Sequence, residues 1–288
     1  MKLIILIIFV LFNLHSVNVF ASEDIALSLA VEKNTQKIED FFDLNKNSLL
    51  SKEVINVSSE VIKQRKLYSK NTIAKVFILL ANVASNKNDV DRAFQFANDG
   101  LMLSISDPSL KLNLLLKVAS GYYAKGQYHK VLDVSNDAIL IAKSTVNTKY
   151  MLLTLAYRSM AYALLAEYEK AFEDLQEVES IIEKNQAFSE NIELLEIIST
   201  AHYYLGDFKT ALTINQKILK LRYDLSLTPD LARTYYNLAR SYHRLGMLDD
   251  AYNAYWETKK YAKEKESDVQ LAFAELGLGE VLFLQKVV

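Results

Sequence analysis

Few residues in this sequence have types and spacing suited to catalysis. After residue 21 there are three histidines, His129, His202 and His243, and no two of them are spaced to share a helix face, so a zinc site is not expected. Glu193 and Glu196 do share one helix face, and paired carboxylates can act as general acid and base. A solvated face or local ion pairs is the better interpretation of this pair. We therefore predict a non-enzymatic protein with no catalytic residues, no metal site and no cofactor.

Basic side chains give the sharpest local signal. Four residues separated by four, three and four positions fall on one helix face: Arg233, Asn237, Arg240 and Arg244. Guanidinium and amide groups on one surface can hold a carboxylate or phosphate through charge-assisted hydrogen bonds. Internal pairing is the alternative, in which Glu193 and Glu196 on the neighbouring segment neutralise Arg233 and Arg240.

The composition limits the class of protein that presents these residues. Lys plus Arg number 33 and Asp plus Glu 35, so the net charge of −2 argues against a general nucleic-acid surface. The sequence has no cysteine, which excludes disulfides and thiolate metal sites. Only two prolines and seven glycines, with abundant helix formers, favour an all-α fold.

The N-terminus is typical of an exported protein. Lys2 precedes a ten-residue apolar run from Leu3 to Phe12, and Ala21 is a suitable cleavage residue. The run is too short to span a bilayer, which needs about 20 residues. We predict that residues 1–21 are a signal peptide and that the mature chain is periplasmic or secreted. No membrane span is expected after its removal, because the apolar C-terminal stretch carries three charged side chains.

A repeat organises the rest of the chain. Four phrases, "YYAKGQYHKV", "YALLAEYEKA", "YYLGDFKTA" and "SYHRLGMLDDA", end on residues spaced 40 apart: Val131, Ala171, Ala211 and Ala251. A weaker copy ends on Ala93, 38 residues before the first. We call these five positions the anchors.

Other positions recur at fixed distances before the anchors. Twelve residues before are small residues: Ala81, Ala119, Ser159, Ser199 and Ala239. Nine before are mostly aromatic residues: Ala84, Tyr122, Tyr162, His202 and Tyr242. Five before are residues that tolerate the left-handed conformation ending a helix: Asn88, Gly126, Ala166, Gly206 and Gly246. Three before are residues expected to form an apolar plug: Val90, Tyr128, Tyr168, Phe208 and Leu248. Each unit is predicted to be a helical hairpin. His202 stands where other units have a tyrosine, so it is predicted to be a packed core residue.

These positions resemble the tetratricopeptide repeat (TPR) family over about Thr72 to Val288. The resemblance implies a right-handed α-solenoid of helix-turn-helix repeats. The family's usual unit has 34 residues, so a period of 40 implies longer helices or longer connections. We predict three regions: a signal peptide at 1–21, a degenerate N-terminal helical hairpin or cap at 22–71, and a repeat array at 72–288 ending in an incomplete or capping unit.

The resemblance also implies where a partner binds. In the family, the inner face of the first helix of each hairpin holds an extended peptide or a partner's helix. Transferred by register, the groove residues are Asn82, Asn113, Lys117, Tyr123, Tyr157, Tyr203, Arg233, Asn237, Arg240, His243 and Arg244. Family members that bind peptide C-termini use Asn with Lys or Arg on this face, so an anionic group on the partner is expected.

Three functions are compatible with this sequence. The first is an exported, non-catalytic scaffold or adaptor that binds a protein or peptide in its groove. The second follows from a resemblance to the periplasmic part of bacterial diguanylate cyclases and sensor kinases, with the enzyme domain outside this chain. The third is a structural adaptor in envelope assembly.

The C-terminal segment is predicted to begin a further hairpin. Continuing the period places Gly279 at the small position, and Leu278, Leu282 and Phe283 are then expected on an uncovered apolar flank. Such a flank implies self-association through Gly277 to Val288, or a longer gene product. The alternative is a complete capping helix over Val269 to Val288.

Overall fold

The computed structural model describes residues 32–41, 52–87, 89–227 and 231–287. Within these ranges there are thirteen α-helices, two short 3₁₀ helices and no β-strand, which confirms the all-α prediction. The signal peptide, the cleavage site, Asn88 and the helix start that the capping Thr228 before Pro229 predicts lie outside the described residues and stay predictions. No described helix is long and apolar enough to cross a membrane.

The helices follow one another along the chain with short connections. Residues 32–41 form α1, and the others are α2 (Lys52–Lys63), α3 (Lys70–Asn86), α4 (Val90–Leu101), α5 (Pro108–Ala124), α6 (Tyr128–Ser144), α7 (Thr148–Leu164), α8 (Tyr168–Lys184), α9 (Ile192–Tyr204), α10 (Phe208–Asp224), α11 (Leu231–Arg244), α12 (Leu248–Glu264) and α13 (Asp268–Val287). The 3₁₀ helices are Arg65–Leu67 and Gln186–Phe188.

Helix length explains the 40-residue period. The helices α6, α7 and α8 each have 17 residues, and three residues connect each of the first two to the next. The longer helices, and not longer connections, therefore account for the difference from a 34-residue unit. Other connections are longer: six residues separate α4 from α5, and seven separate α8 from α9, which has only 13 residues.

Left-handed residues end the first helix of the four hairpins whose turns the structure describes, as predicted. The φ angles are +68° at Gly126, +83° at Gly206 and +74° at Gly246, and Ala166 adopts the same conformation at +59°. A backbone N–H just beyond the helix then bonds back into its last turn, as Asp207 N does to His202 O at 2.9 Å. These turns reverse the chain within a few residues.

A second set of left-handed residues joins one hairpin to the next. Val146, Ser226 and Glu266 have φ angles of +52°, +55° and +54°. They also recur at the 40-residue period or twice that period. Their side chains do not favour this conformation, so residue type offers no signal for these turns.

Small residues permit the close helix crossing inside each hairpin. Ser159 and Ser199 are buried, and their hydroxyls donate to the carbonyls of anchors Ala171 and Ala211 at 2.7 and 3.2 Å. Both anchors are fully buried. The small position and the anchor are therefore in direct contact, which confirms the register read from the sequence.

The first helices of successive hairpins form the continuous core. α7 packs against α6 and α8 and also against α5 and α9, the first helices of the neighbouring hairpins. Its Leu152, Leu153 and Leu155 are almost fully buried and cluster with Leu175 of α8 and Leu194 of α9. This stacking is the arrangement of a helical-repeat solenoid.

The chain divides into two compact units, Met1–Leu80 and Ala81–Val288. In the first unit, Glu39 of α1 accepts hydrogen bonds from Thr72 and Lys75 of α3 at 3.0 and 2.9 Å. In the second unit, α13 continues the pattern by packing on α12 and α11. The predicted region boundaries at 21 and 71 stay predictions.

Candidate functional site

His202 is a packed residue, as its position in the repeat indicates. Its side chain is buried, with Nε2 at 3.0 Å from Glu179 Oε1 and Nδ1 at 3.4 Å from Asp207 Oδ2. Asp207 in turn caps α10 by accepting from Thr210 N at 3.1 Å. Although burial acts in the opposite direction, the hydrogen bonds from Thr210 and the neighbouring His202 hold the pKa of Asp207 below its usual value. His202 therefore ties a helix start to the core.

No group of three or more His, Cys, Asp or Glu side chains in the described part of the chain is arranged to hold a metal ion. The carboxylates Glu193 and Glu196 also differ in exposure and in ion pairing. Glu193 is exposed, whereas Glu196 is mostly buried and pairs with two arginines.

Glu196 shows which arginines of α11 are paired within the chain. It lies 2.6 Å from the buried Arg222 of α10 and 3.0 Å from Arg233 of α11. Internal pairing is therefore found for Arg233. It is wrong for Arg240, which has no carboxylate partner among the described residues.

Arg240 lies instead among aromatic rings. Its guanidinium is 3.9 Å from the ring centroid of Tyr203, 5.8 Å from that of Tyr204 and 5.6 Å from that of Tyr236. Such cation–π contacts stabilise a partly desolvated cation. Although burial opposes it, the electrostatic effect of these tyrosines raises the pKa of Arg240 above its usual value. The positive charge is thus fixed in place, and no described carboxylate balances it.

An open depression of about 390 Å³ lies next to this cation, and we call it the Tyr203 depression. Its lining is mostly aromatic: Tyr168, Tyr203, Tyr204, Leu205, Gly206, Phe208 and Arg244. The guanidinium of Arg244 is exposed and lies 4.8 Å from the Phe208 ring centroid. A second cation is therefore available to solvent at the edge of the aromatic surface.

Two predicted groove tyrosines, Tyr123 and Tyr157, are partly buried. The hydroxyls of Tyr123 on α5 and Tyr204 on α9 are 3.2 Å apart. Burial, with Tyr204 as neighbour, raises the pKa of Tyr123 well above its usual value. Burial also raises the pKa of Tyr157 to about 12, although Ser120 hydrogen-bonds to it. The hydroxyls of Tyr123 and Tyr157 therefore stay neutral at physiological pH.

Three further predicted groove residues, Asn82, Asn113 and Lys117, form hydrogen bonds between helices. Lys117 Nζ donates to Asn82 Oδ1, and Asn113 Nδ2 donates to the Tyr150 hydroxyl at 3.0 Å. Burial lowers the pKa of Lys117. These two bonds link successive first helices, so this part of the predicted groove has internal contacts that any partner must accommodate.

The last two predicted residues flank Arg240. Asn237 lies with Tyr203 and Arg240 around a very small enclosed space. His243 Nδ1 is 3.8 Å from Glu280 of α13, and its ring meets Tyr255 edge-on at 6.5 Å. The structure therefore brings Tyr203, Arg240 and Arg244 together at one site and leaves Asn82, Asn113 and Lys117 outside it.

Three aromatic residues of the lining were not predicted to belong to a binding surface. Tyr168 and Phe208 were expected to be apolar plugs, and Tyr204 was not singled out. The plug interpretation is wrong for Tyr168, which is 55% exposed, and for Val90, which is 40% exposed. The adjacent tyrosines Tyr203 and Tyr204 were the signal in the sequence that could have indicated this surface. Neighbouring residues of a helix point in different directions, so both rings cannot be buried in the same core.

The fold and this site define a TPR-like helical-repeat protein with a solvent-accessible aromatic and cationic surface. Solved structures with the same architecture are TPR proteins. No protein-family model and no curated protein matches the sequence.

Three solved structures illustrate the likeness. The Rap protein complexed with Competence and Sporulation Factor has a TM-score of 0.63 at 16% identity, covering 94% of this chain and 77% of that one. A thermophilic TPR protein in Thermus thermophilus has a TM-score of 0.51 at 19% identity, covering 70% and 99%. A chain of the APC/C hetero-tetramer Cut9-Hcn1 has a TM-score of 0.54 at 15% identity, covering 81% and 43%. At these identities the likeness concerns the fold alone.

Proposed function

We propose that this chain is an exported, non-catalytic scaffold or adaptor that binds a protein or peptide partner at the Tyr203 depression. The observation that carries the proposal is the pair of cations held against aromatic rings, Arg240 on Tyr203 and Arg244 on Phe208, with no carboxylate pairing with either among the described residues. An anionic group on the partner would supply the missing charge, and the rings would contact its apolar part.

The solved neighbours are compatible with this proposal. The Rap structure contains a bound factor and the Cut9 structure an assembled partner. TPR-like proteins of this kind are generally non-catalytic. His202 lies next to two acidic side chains, but it is buried, so a substrate has no access to it. Export, and the alternative of a periplasmic sensing region, rest on the N-terminal sequence.

The test compares two arginines on the same helix. Arg244→Ala removes the exposed cation of the depression, whereas Arg233→Ala removes one that pairs with Glu196. Both proteins and wild type are immobilised and exposed to envelope extract, and the proteins retained by wild type are identified and titrated individually by calorimetry.

We expect Arg244→Ala to weaken binding of the retained partner by roughly tenfold to hundredfold, since hydrogen bonds to charged groups contribute about 1.5–3 kcal/mol. Arg233→Ala should keep the affinity and lower the melting temperature. A partner bound equally well by wild type and Arg244→Ala, or lost only with Arg233→Ala, would place recognition elsewhere.

A further inference from the structure

α13 presents an apolar face that no described residue covers. The side chains facing α11 and α12 are buried, among them Ala274, Leu278 and Val281. The prediction that Leu278 lies on an open flank is therefore wrong, because its register turns it inward. Exposed on α13 are large apolar residues: Val269 at 55%, Phe273 at 47%, Leu276 at 62%, Leu282 at 43% and Phe283 at 67%.

The rotation of α13 about its axis is fixed by Gly277. A Cβ atom at Gly277 would lie 2.3 Å from the Tyr255 ring, so this position must face α12. Phe273 is held at the edge of the exposed face because its ring stacks on Tyr236 at 5.6 Å and 26°. The exposed face therefore belongs to the packed state of α13 and does not depend on a loose helix.

Gly279 makes a close helix approach feasible at the centre of this face. It occupies the small position of the repeat, and a Cβ atom there would meet nothing within 4 Å. The equivalent Ser159 and Ser199 lie directly under the anchor of the next helix. α13 thus offers the same shallow site for a crossing helix. Contiguous exposed apolar surface of this kind marks an interaction site.

We propose that a second copy of this chain occupies the face, with two α13 helices packed antiparallel about a two-fold axis at Leu276. In that arrangement the two Leu276 side chains meet at the axis and each phenylalanine meets a smaller residue: Phe273 of one copy lies over Gly279 of the other, and Phe283 lies opposite Val269. The α13 face is therefore complementary to itself in size, as an isologous interface requires.

Charge complementarity favours the same occupant. The arrangement brings the exposed Lys286 near the C-terminal end of one α13 to the start of the other copy's α13, where Glu266 is exposed in the preceding turn, once at each end of the pair. Two acids near the face are held within their own chain, Glu275 by Lys259 at 3.0 Å and Glu280 next to His243 at 3.8 Å. Because α13 carries three acidic residues and one lysine, an anionic membrane surface is a poorer match.

The first experiment measures the mass of the full chain by light scattering over about 1–100 µM. We expect twice the single-chain mass for wild type and a single-chain mass for Leu276→Glu, with an unchanged helical circular dichroism signal because Leu276 is exposed. Leu140→Glu is the matched control, since Leu140 is 69% exposed on α6 and lies outside the face. It should keep the doubled mass.

The second experiment tests the antiparallel arrangement. Lys286→Glu and Glu266→Lys should each raise the dissociation constant by about tenfold at low ionic strength, and the double variant should restore it. The chain has no cysteine, so Leu276→Cys should form a disulfide dimer on mild oxidation while Leu140→Cys stays free of that cross-link. A single-chain mass of wild type at about 100 µM, a dimer insensitive to Leu276→Glu, or no restoration by the double charge exchange would each overturn the proposal.

Discussion

Individual ion pairs in this protein differ greatly in burial, and the difference determines what each contributes. Arg158 of α7 and Asp174 of α8 form a bidentate pair, with Nε and one terminal nitrogen at 2.8 and 2.7 Å from the two carboxylate oxygens. Asp174 is only 5% exposed. By contrast, Lys170 and Glu167 pair on the surface, where the lysine side chain is 60% exposed. Removing one partner of the first pair leaves a buried charge.

Arg158→Met is therefore expected to lower the free energy of unfolding by about 3–5 kcal/mol. The double variant Arg158→Met with Asp174→Leu should recover most of this loss, because no charge then remains buried. Lys170→Met is the surface control and should change stability by less than about 1 kcal/mol. Chemical denaturation measures all three. Equal effects of Arg158→Met and Lys170→Met would mean that Asp174 is solvated in solution.

At the scale of the helices, the turn within each hairpin depends on one backbone conformation. Three of the described turns use glycine and one uses Ala166, all at positive φ. A Cβ atom at Gly126, Gly206 or Gly246 would meet nothing within 4 Å. Substitution at these positions therefore tests the backbone conformation without a steric clash.

We expect Gly206→Ala to lower the free energy of unfolding by about 1 kcal/mol, the cost of the left-handed conformation for a residue with a Cβ atom. Ala166→Gly should act in the opposite direction, by a smaller amount, because glycine also gains freedom in the unfolded chain. Denaturation with urea measures both changes. Stabilisation by Gly206→Ala would show that this turn does not keep its positive φ in solution.

At the scale of the repeat array, each hairpin has its apolar faces covered by its neighbours, so the stability of one hairpin depends on the next. The first helices α5, α7 and α9 pack against one another in succession, and α7 contributes to a core cluster that also includes residues of α8 and α9. Damage at one close crossing should therefore spread to adjacent hairpins.

Ala211→Arg tests this dependence. Ala211 is fully buried and its carbonyl accepts from Ser199, so an arginine there places an unpaired charge in the crossing of α9 and α10. We expect a loss of several kcal/mol, comparable with a total stability of about 5–15 kcal/mol, and loss of hydrogen-exchange protection in α7 and α11 as well. Thr213→Arg, at an exposed position of α10, is the control. Protection lost in α9 and α10 alone would mean that the hairpins unfold independently.

The sequence by itself determined the helical hairpins, their register and the turns within them. These features depend on local chemistry: a glycine at a left-handed position, a small residue twelve before each anchor, and apolar residues at helical spacing. The turn at Gly206 and the close helix crossing between Ser199 and Ala211 could therefore be predicted from residue type and spacing. The left-handed turns at Val146, Ser226 and Glu266 carry no such residue type and could not be predicted.

Only the tertiary structure decided which polar groups meet between helices. Glu196 could have neutralised either Arg233 or Arg240, and the sequence places both arginines on one helix face. Packing within one hairpin brings Glu196 to Arg222, and the rotation between successive hairpins brings it to Arg233 and brings Arg240 onto the Tyr203 ring. The same rotation turns Leu278 inward and Phe283 outward on α13. Periodicity fixes which residues share a face of one helix, but the partner of that face is set by packing between helices.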